Sequence, residues 1–173
     1  MIWQREPEKA FPEIRDFYWH LIDDMASVND RIGWKKGIYP SDDFLIESLE
    51  KGELYSLREN GVILGAVILN SDSNEGYKGL PWSRNFASHD ILVPHGLAVS
   101  SKVQNRGIGR QLVGHVLDEA RAEGKKAVRL DILGTNRQAE ALYRSAGFSF
   151  VAARKMYYPD TGWTEYKMFE LNL

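Results

Sequence analysis

Cysteine is absent from this chain of 173 residues. Without it there is no disulfide framework, no thiolate metal site and no cysteine nucleophile. Several classes of enzyme are therefore excluded together. The composition is compatible with a reducing compartment.

Long apolar runs and an excess of one charge are also missing. The longest apolar run, residues 62–69, is far shorter than the roughly 20 residues of a transmembrane helix. Charged residues already occur at Arg5 and Glu6, where a signal peptide would lead into an apolar stretch. The net charge of -2 gives no overall positive field, so we expect neither a nucleic acid nor a membrane as partner. We therefore expect a cytoplasmic protein.

What the chain does contain is the composition of an ordinary globular domain. Its 43% hydrophobic and 27% charged residues argue against long disordered or fibrous segments. Its length is enough to bury a hydrophobic core without disulfides or metals. We expect one domain over residues 1–173.

Two helices are predicted in the first part of the chain. Apolar residues recur at helical spacing over residues 10–28, and Pro12 fits only the first turn of a helix, so the helix should begin close to it. Ser41 is a good N-cap for a second, shorter helix, and Gly52 is a natural end for it.

Strands surround these helices in the predicted order. A short strand is expected near residues 2–5, and two further strands over 53–58 and 62–70. Glu59, Asn60 and Gly61 join the latter pair, and Asn-Gly between such runs strongly indicates a hairpin. Residues 71–89 show no clear periodicity and are predicted to form a surface loop.

From Ile91 onward, strands and helices alternate. Amphipathic patterns predict a β-α-β-α-β order, which two final strand-like runs complete. The predicted strands are 91–99, 127–133, 148–158 and 163–171, and the predicted helices are 107–123 and 136–146.

A glycine-containing junction between a strand and a helix is the most informative feature. Unpaired N–H groups and the positive end of the helix dipole bind anions at such a place, and glycine lets a phosphate approach the main chain. Arg106 and Arg110 add local positive charge. The junction consists of Leu97, Ala98 and Val99, followed by Gln104, Asn105, Arg106, Gly107, Ile108, Gly109 and Arg110.

Other phosphate motifs fit this junction poorly. A dinucleotide-binding loop requires glycine where this chain has Leu112, and a nucleotide P-loop requires Gly-Lys-Ser/Thr, which does not occur. An isolated Gly-x-Gly is common, and a plain strand-to-helix turn would explain it as well.

Two motifs together resemble a known family. The junction resembles the Gln/Arg-x-x-Gly-x-Gly/Ala element of the GNAT acetyltransferase superfamily. Residues 130–148 resemble the second cofactor element of that family, in which a strand is followed by Asn136, then Ala139-x-x-Leu142-Tyr143 and a closing Gly-Phe. The resemblance extends over residues 91–150.

The resemblance implies a fold of the α/β (α+β) class. Its central sheet would be mixed and mostly antiparallel, with about seven strands, helices on both faces and a splayed pair of strands that holds the acyl-CoA. The acceptor-side half would be residues 1–90, the acyl-CoA-binding core 91–150 and the C-terminal strands 151–173. Homodimers are frequent in the family, so a homodimer is a possible assembly.

The resemblance also implies the chemistry. Acetyl-CoA would be bound by the junction residues together with Asn136 and Tyr143, and its acetyl group would pass to a primary amine of a small molecule or peptide. In the family, the backbone of the strand that corresponds to residues 97–99 of this chain pairs with the pantetheine arm. Backbone donors there could also stabilise an oxyanion. No metal is implied.

Individual roles follow from the family match. Tyr143 is the expected general acid, because a phenol with a pKa of about 10 keeps its proton at neutral pH. An isolated tyrosine would more often be a core aromatic residue. Asn136 is expected to cap its helix and also to contact the cofactor.

The motifs do not identify the general base or the acceptor pocket. His95 is a candidate base, since it has the strand parity of Leu97 and Val99, although a lone strand histidine is more often structural. Three other residues could act through water, or could simply be solvated surface: Asp90, His89 and Glu75. Four aromatic residues could line the acceptor pocket, or could equally pack their loops onto the core: Trp34, Tyr39, Trp82 and Phe86.

Other functions stay open at this point. The chain could be a CoA-binding sensor or interaction module without turnover. It could also use a longer acyl-CoA, or a hydroxyl acceptor.

Overall fold

The computed structural model describes residues 1–26 and 32–173, which form a seven-stranded sheet and four α-helices. The strands are β1 Ile2–Arg5, β2 Leu54–Glu59, β3 Val62–Asn70, β4 Ile91–Val99, β5 Ala127–Leu133, β6 Ser149–Tyr158 and β7 Gly162–Asn172. The helices are α1 Phe11–Ala26, α2 Asp42–Glu50, α3 Ile108–Ala122 and α4 Arg137–Ser145. The predicted end of the first helix near Val28 lies outside the described residues. No described helix is both long and apolar enough to cross a membrane.

Local sequence signals set the boundaries of several elements. The Ser41 hydroxyl accepts a hydrogen bond from the Phe44 N–H at 3.1 Å and so caps α2. Asn60 and Gly61 both adopt positive φ, 51° and 81°, between β2 and β3. Positive φ at both central residues is the requirement of a type I′ turn, so the predicted hairpin is present.

The sheet is mixed and mostly antiparallel, as predicted. Its strand order is β1-β2-β3-β4-β5-β7-β6. Every neighbouring pair is antiparallel except β4 and β5, which are parallel. The parallel pair therefore lies at the middle of the sheet, where the chain crosses over through α3.

Helices cover both faces of the sheet. Alternate residues of β3 point to opposite faces: Ala66 and Ile68 pack with α1 and α2, whereas Val67 and Leu69 pack with α3 and α4. This alternation explains why β3 is apolar along nearly its whole length, since both of its faces are buried.

The central parallel pair separates soon after it begins. Only two register pairs join β4 to β5, Ile91 with Ala127 and Leu92 with Val128. The two strands nevertheless continue to Val99 and Leu133. The predicted splayed pair is confirmed, and a gap opens between the later halves of the two strands.

A β-bulge distorts β4 beside this gap. Ile68 pairs with His95 and Ala66 pairs with Ala98, so β4 has one residue more than β3 over this interval. Gly96, within the bulge, has a φ of 57°, which residues other than glycine rarely adopt. The Tyr18 hydroxyl of α1 donates a hydrogen bond of 2.8 Å to the Gly96 carbonyl and holds the bulge.

The loop before β4 is more than a surface loop. It contains two short 3-10 turns, and Tyr77 in the first of them is only 6% exposed. Its ring packs with Met156, Tyr166 and Met168 of β6 and β7. The prediction of a plain surface loop over 71–89 was therefore incomplete, because one aromatic residue anchors the loop in the core.

A buried ion pair holds the other end of that loop. Arg129 of β5 and Glu170 of β7 are both buried, with Nε 2.9 Å from Oε1. The guanidinium also donates to the Arg84 carbonyl at 2.6 Å, and Glu170 Oε2 accepts from the Ser83 N–H at 2.9 Å. The Trp82 ring lies over the guanidinium at 4.4 Å. The two charges thus compensate each other, and the loop supplies a further partner to each of them.

Replacing Arg129 by methionine should lower the free energy of unfolding by about 3 kcal/mol, because it leaves the Glu170 carboxylate buried without its cation. Urea denaturation followed by circular dichroism measures the change. The matched control is Arg121→Met, whose partner Asp118 is exposed and whose loss should cost less than about 1 kcal/mol. Equal losses for the two variants would contradict the assignment.

Candidate active site

A large cavity lies beneath the glycine junction, beside the end of β4. This cavity has a volume of about 500 Å³ and a mostly apolar wall. The junction residues that line it are Leu97, Ala98, Val99, Gln104, Asn105, Gly107, Ile108, Gly109 and Arg110, joined by Asn136 and Tyr143 from the second motif. Arg106 is the one predicted contact that does not line the cavity, and its side chain is exposed.

The two glycines of the junction have different physical roles. Gly107 has a φ of 78° and forms the N-cap of α3, and a Cβ there would meet nothing within 4 Å. Conformation therefore favours glycine at this position. Gly109 has ordinary helical geometry, but a Cβ would lie 3.2 Å from Leu142, so close packing of α3 against α4 favours it.

The start of α3 is suited to an anion. No side chain caps the helix, and its first turn carries no acidic residue. Arg110 instead places a positive charge there, where the helix dipole disfavours it unless an anion is bound. The free backbone N–H groups, the dipole and Arg110 thus fit a phosphate or pyrophosphate group.

A second, smaller cavity lies between the later halves of β4 and β5 and is lined by residues of both strands. Its volume is about 160 Å³, and its wall is more polar than that of the first. Tyr143, Asn136, Leu97 and Trp34 line both cavities. The two cavities therefore meet at a shared wall, with Tyr143 on it.

Tyr143 is a buried tyrosine whose hydroxyl is available to the cavities. Its side chain is 6% exposed, and its ring contacts Phe148 edge to face at 5.4 Å. Within the described residues, no group hydrogen-bonds its hydroxyl. Burial, with a smaller effect from the Asp131 charge, raises the pKa of Tyr143 well above its ordinary value. The phenol therefore holds its proton at neutral pH.

Asn136 caps α4, as predicted. Its Oδ1 accepts a hydrogen bond of 3.0 Å from the Ala139 N–H. Because this bond fixes the side chain at the shared wall, the cap also orients the polar end of Asn136 beside both cavities.

Asp131 of β5 is a polar residue of the site that no motif in the sequence identified. It lines the smaller cavity, and its Oδ2 accepts hydrogen bonds from the hydroxyls of Tyr77 and Tyr158, each at 2.8 Å. Burial, with a smaller effect from Asp160, raises the pKa of Asp131, and the two phenol bonds oppose the rise. A carboxylate at a strand position flanked by buried Leu130 and Ile132 was the signal that could have identified it.

His95 lies on the opposite face from the one its strand parity predicts. It pairs with Ile68 and its ring contacts Phe44 of α2, whereas Leu97 and Val99 pack on the side of α3. The bulge at Gly96 inserts an extra residue and so reverses the alternation. His95 still lines the smaller cavity, but the parity argument for it was wrong.

The hydrogen bonds of His95 fix its tautomer. Asn70 donates from Nδ2 to Glu53 and accepts at Oδ1 from the Asp72 N–H, so the amide orientation is determined. His95 Nε2 lies 2.8 Å from that same Oδ1 and must therefore donate. Burial lowers the pKa of His95, and Asp72 partly offsets the effect.

The predicted aromatic residues fall into two separate groups. Trp34 and Tyr39 line the smaller cavity, with their ring centroids 5.7 Å apart. Trp82 and Phe86 line neither cavity and lie instead beside the Arg129 guanidinium, at 4.4 Å and 6.0 Å. The buried ion pair attracts these two rings, so the structure does not bring them to the site.

The three solvent-side candidates for a base also lie elsewhere. Asp90, His89 and Glu75 line neither cavity. The Asp90 carboxylate forms an ion pair with Lys126 at 2.8 Å. Within the described part of the chain, no group of three or more histidine or carboxylate side chains is placed to hold a metal ion.

Comparison with known proteins gives a consistent result. A family model described as "Acetyltransferase (GNAT) family" matches residues 10–148. A [ribosomal protein bS18]-alanine N-acetyltransferase of Salmonella typhimurium is 40% identical over 63 residues, which cover 36% of this chain and 43% of that protein. The N-alpha-acetyltransferase RimI of Mycobacterium tuberculosis is 42% identical over 74 residues, which cover 43% and 45%. The chain spans less than half the length of the curated relatives it matches.

Solved structures share the fold. A Salmonella typhimurium protein solved with acetyl-CoA as its cofactor superposes with a TM-score of 0.73 at 21% identity, over 100% of this chain and 94% of that one. A ribosomal-protein-alanine N-acetyltransferase of Brucella melitensis gives a TM-score of 0.71 at 18% identity, over 100% of both chains.

The lowered pKa of His95 has a measurable consequence. The pKa of His95 in the folded protein lies below its unfolded value of about 6.5. Its contribution to the free energy of unfolding is therefore fully present above pH 6.5 and is lost as the pH falls through the folded pKa. Imidazole 15N chemical shifts should show His95 as the neutral Nε2–H form at pH 6.5. The same protein in urea is the control, and a folded midpoint at or above 6.5 would contradict the assignment.

Proposed function

The chain belongs to the GNAT acetyltransferase family, and we propose that it transfers the acetyl group of acetyl-CoA directly to a primary amine of a small molecule or a peptide. The observation that carries the proposal is the pair of cavities that meet at Tyr143, one below an anion-binding helix start and one containing the Asp131 carboxylate. The first suits a phosphorylated donor and the second a cationic acceptor.

The donor side follows from the fit of the larger cavity. Backbone N–H groups from Ile108 to Arg110 would hold the pyrophosphate, and the unpaired edge of β4 at residues 97–99 would hold the amide-bearing arm. When bound, acetyl-CoA supplies an acetyl thioester whose carbonyl carbon is open to an amine and whose sulfur leaves as a thiolate. The apolar wall of the cavity excludes water from that group.

The acceptor side follows from the charge and size of the smaller cavity. The Asp131 carboxylate attracts an ammonium group, and the rings of Trp34 and Tyr39 provide aromatic walls beside it. A volume of about 160 Å³ suits the amine and its first few carbons. Both a small amine and the first residue of a peptide meet that limit. The alanine acceptor named for the ribosomal-protein relatives is one example of such a group.

Two side chains can accept and donate the protons that the transfer requires. Asp131 accepts a proton from the ammonium nitrogen, and its raised pKa makes it a stronger base than an exposed aspartate. Tyr143 holds a proton at its hydroxyl on the shared wall, where an anion develops during transfer. The base and the acid therefore lie on either side of the point where donor and acceptor meet.

A thiol-release assay tests the proposed function. Purified protein with acetyl-CoA is offered polyamines, amino acids, aminoglycosides and peptides with a free N-terminus, and each is paired with its hydroxyl analogue. The chain has no cysteine, so a thiol reagent detects only released CoA. Release that requires an amine supports the proposal. Binding of acetyl-CoA without turnover on any amine favours the sensor instead, and release with the hydroxyl analogues alone favours an O-acyltransferase.

Removing the Tyr143 hydroxyl should slow the chemical step. We expect Tyr143→Phe to lower kcat by more than tenfold with the affinity for acetyl-CoA near wild type, because the ring that packs on Phe148 is retained. Steady-state kinetics and calorimetric titration with CoA measure the two quantities. Full activity of this variant would remove Tyr143 from the mechanism.

Neutralising Asp131 should separate activity from stability. Asp131→Asn is expected to lower kcat/KM by about 100-fold or more, because a general base contributes at least that much. The raised pKa means that Asp131 favours folding at low pH and opposes it as the pH rises above about 3.8, so the charge costs stability at neutral pH.

The Asp131→Asn variant should consequently be no less stable than wild type at pH 7, as measured by Tm. Asp118→Asn on the exposed face of α3 is the matched control and should leave kcat/KM unchanged. Wild-type activity in Asp131→Asn would exclude the carboxylate as base.

A further inference from the structure

The Asp131 carboxylate is held asymmetrically. Both of its hydrogen bonds reach Oδ2, one from Tyr77 and one from Tyr158, at 2.8 Å each. Within the described residues, Oδ1 accepts no hydrogen bond, although the side chain lines the smaller cavity. One oxygen is thus bound by the protein, and the other is left for a ligand.

Tyr77 reaches the carboxylate because its loop is fixed on β6. Arg154 of β6 donates to the Gly76 and Lys78 carbonyls, at 3.0 Å and 2.9 Å, and so holds the residues on either side of Tyr77. A Cβ on Gly76 would lie 2.4 Å from the Met156 sulfur, so only glycine lets the loop lie this close. Trp82 Nε1 donates to the Tyr77 carbonyl at 2.9 Å.

Tyr158 reaches the same oxygen from the end of β6. Its ring lies 4.8 Å from the ring of Tyr166 on β7, which limits its rotation. The two phenols therefore approach Oδ2 from different elements, the loop before β4 and the strand β6, and that loop is itself held on β6.

We propose that Tyr77 and Tyr158 are positioning residues that hold Asp131 by Oδ2 and direct Oδ1 toward the acceptor amine. This inference rests on the proposed function and adds two residues to it. In the step that they support, a proton leaves the acceptor ammonium nitrogen and binds to Oδ1, and the N–H bonding electrons become the lone pair that attacks. Neither phenol gives up its own proton, because burial raises the pKa of both phenols well above the ordinary value.

The two bonds also determine when the carboxylate is charged. Hydrogen bonds donated to a carboxylate favour its ionised form, whereas burial favours the protonated form. The other titratable groups that face Asp131 are Asp160, Tyr39, Tyr143, Tyr166 and His95. Among these, Asp160 raises the pKa of Asp131. The phenols therefore counter both burial and a like charge, and they favour the ionised form of Asp131.

The test is the pH dependence of kcat/KM for the amine acceptor. Tyr77→Phe and Tyr158→Phe should each move the acidic limb of the profile upward by about one pH unit, and the double variant should move it further. Tyr157→Phe is the matched control, because Tyr157 is the exposed neighbour of Tyr158 and lines neither cavity. A change in kcat without movement of the limb, in both single variants, would overturn the proposal.

A second measurement makes the result independent of turnover. The 13C signal of the Asp131 carboxyl, assigned by its loss in Asp131→Asn, is titrated in wild type and in both single variants. A midpoint that rises in Tyr77→Phe and in Tyr158→Phe supports the phenol contacts even if no amine in the panel is acetylated, in which case only the proposed function fails. An unchanged midpoint in folded variants overturns the proposal.

Discussion

The early separation of β4 and β5 is the constraint on which the site depends. β3 pairs with the other edge of β4, and β7 pairs with β5 along its whole length, so each strand is supported from outside. Their facing edges carry backbone N–H and C=O groups that the sheet leaves unpaired after Leu92 and Val128. Buried backbone groups require partners. A ligand with amides of its own can supply those partners, and residues of both strands line the smaller cavity.

Two carboxylates on the neighbouring strands β5 and β7 differ in how their charge is compensated. Glu170 lies against the Arg129 guanidinium and has compensating partners on both oxygens. Within the described residues, Asp131 has only neutral phenols as donors, and both contact one oxygen. The Glu170 carboxylate therefore contributes to structure, whereas Asp131 is held on one side and lines the smaller cavity.

Local signals in the sequence were sufficient for most of the fold and for most of the junction residues that line the larger cavity. The Asn60-Gly61 turn, the Ser41 cap and the glycine junction each act within a few residues of the chain, so their geometry could be predicted. The alternation of β4 could not, because the bulge at Gly96 depends on pairing with β3 and on a hydrogen bond from Tyr18.

The Asp131 contacts were missed because they join distant parts of the chain. Tyr77 and Tyr158 lie 54 and 27 residues from Asp131, and no periodicity or motif connects them. Trp82 and Phe86 lie away from both cavities for the same reason. Their rings pack beside the Arg129 guanidinium, and Arg129 is 45 residues from Arg84, whose carbonyl accepts its hydrogen bond. Most of the wall of the smaller cavity also comes from residues after 90.

The shared wall of the two cavities has a thermodynamic consequence. Tyr143 and Asn136 contribute to both, so a ligand that fixes their side chains in one cavity changes the surface presented to the other. Linkage requires that such an effect be reciprocal: any factor by which the first ligand alters the affinity for the second applies equally in reverse. The shared wall therefore places the same side chains in contact with the contents of both cavities.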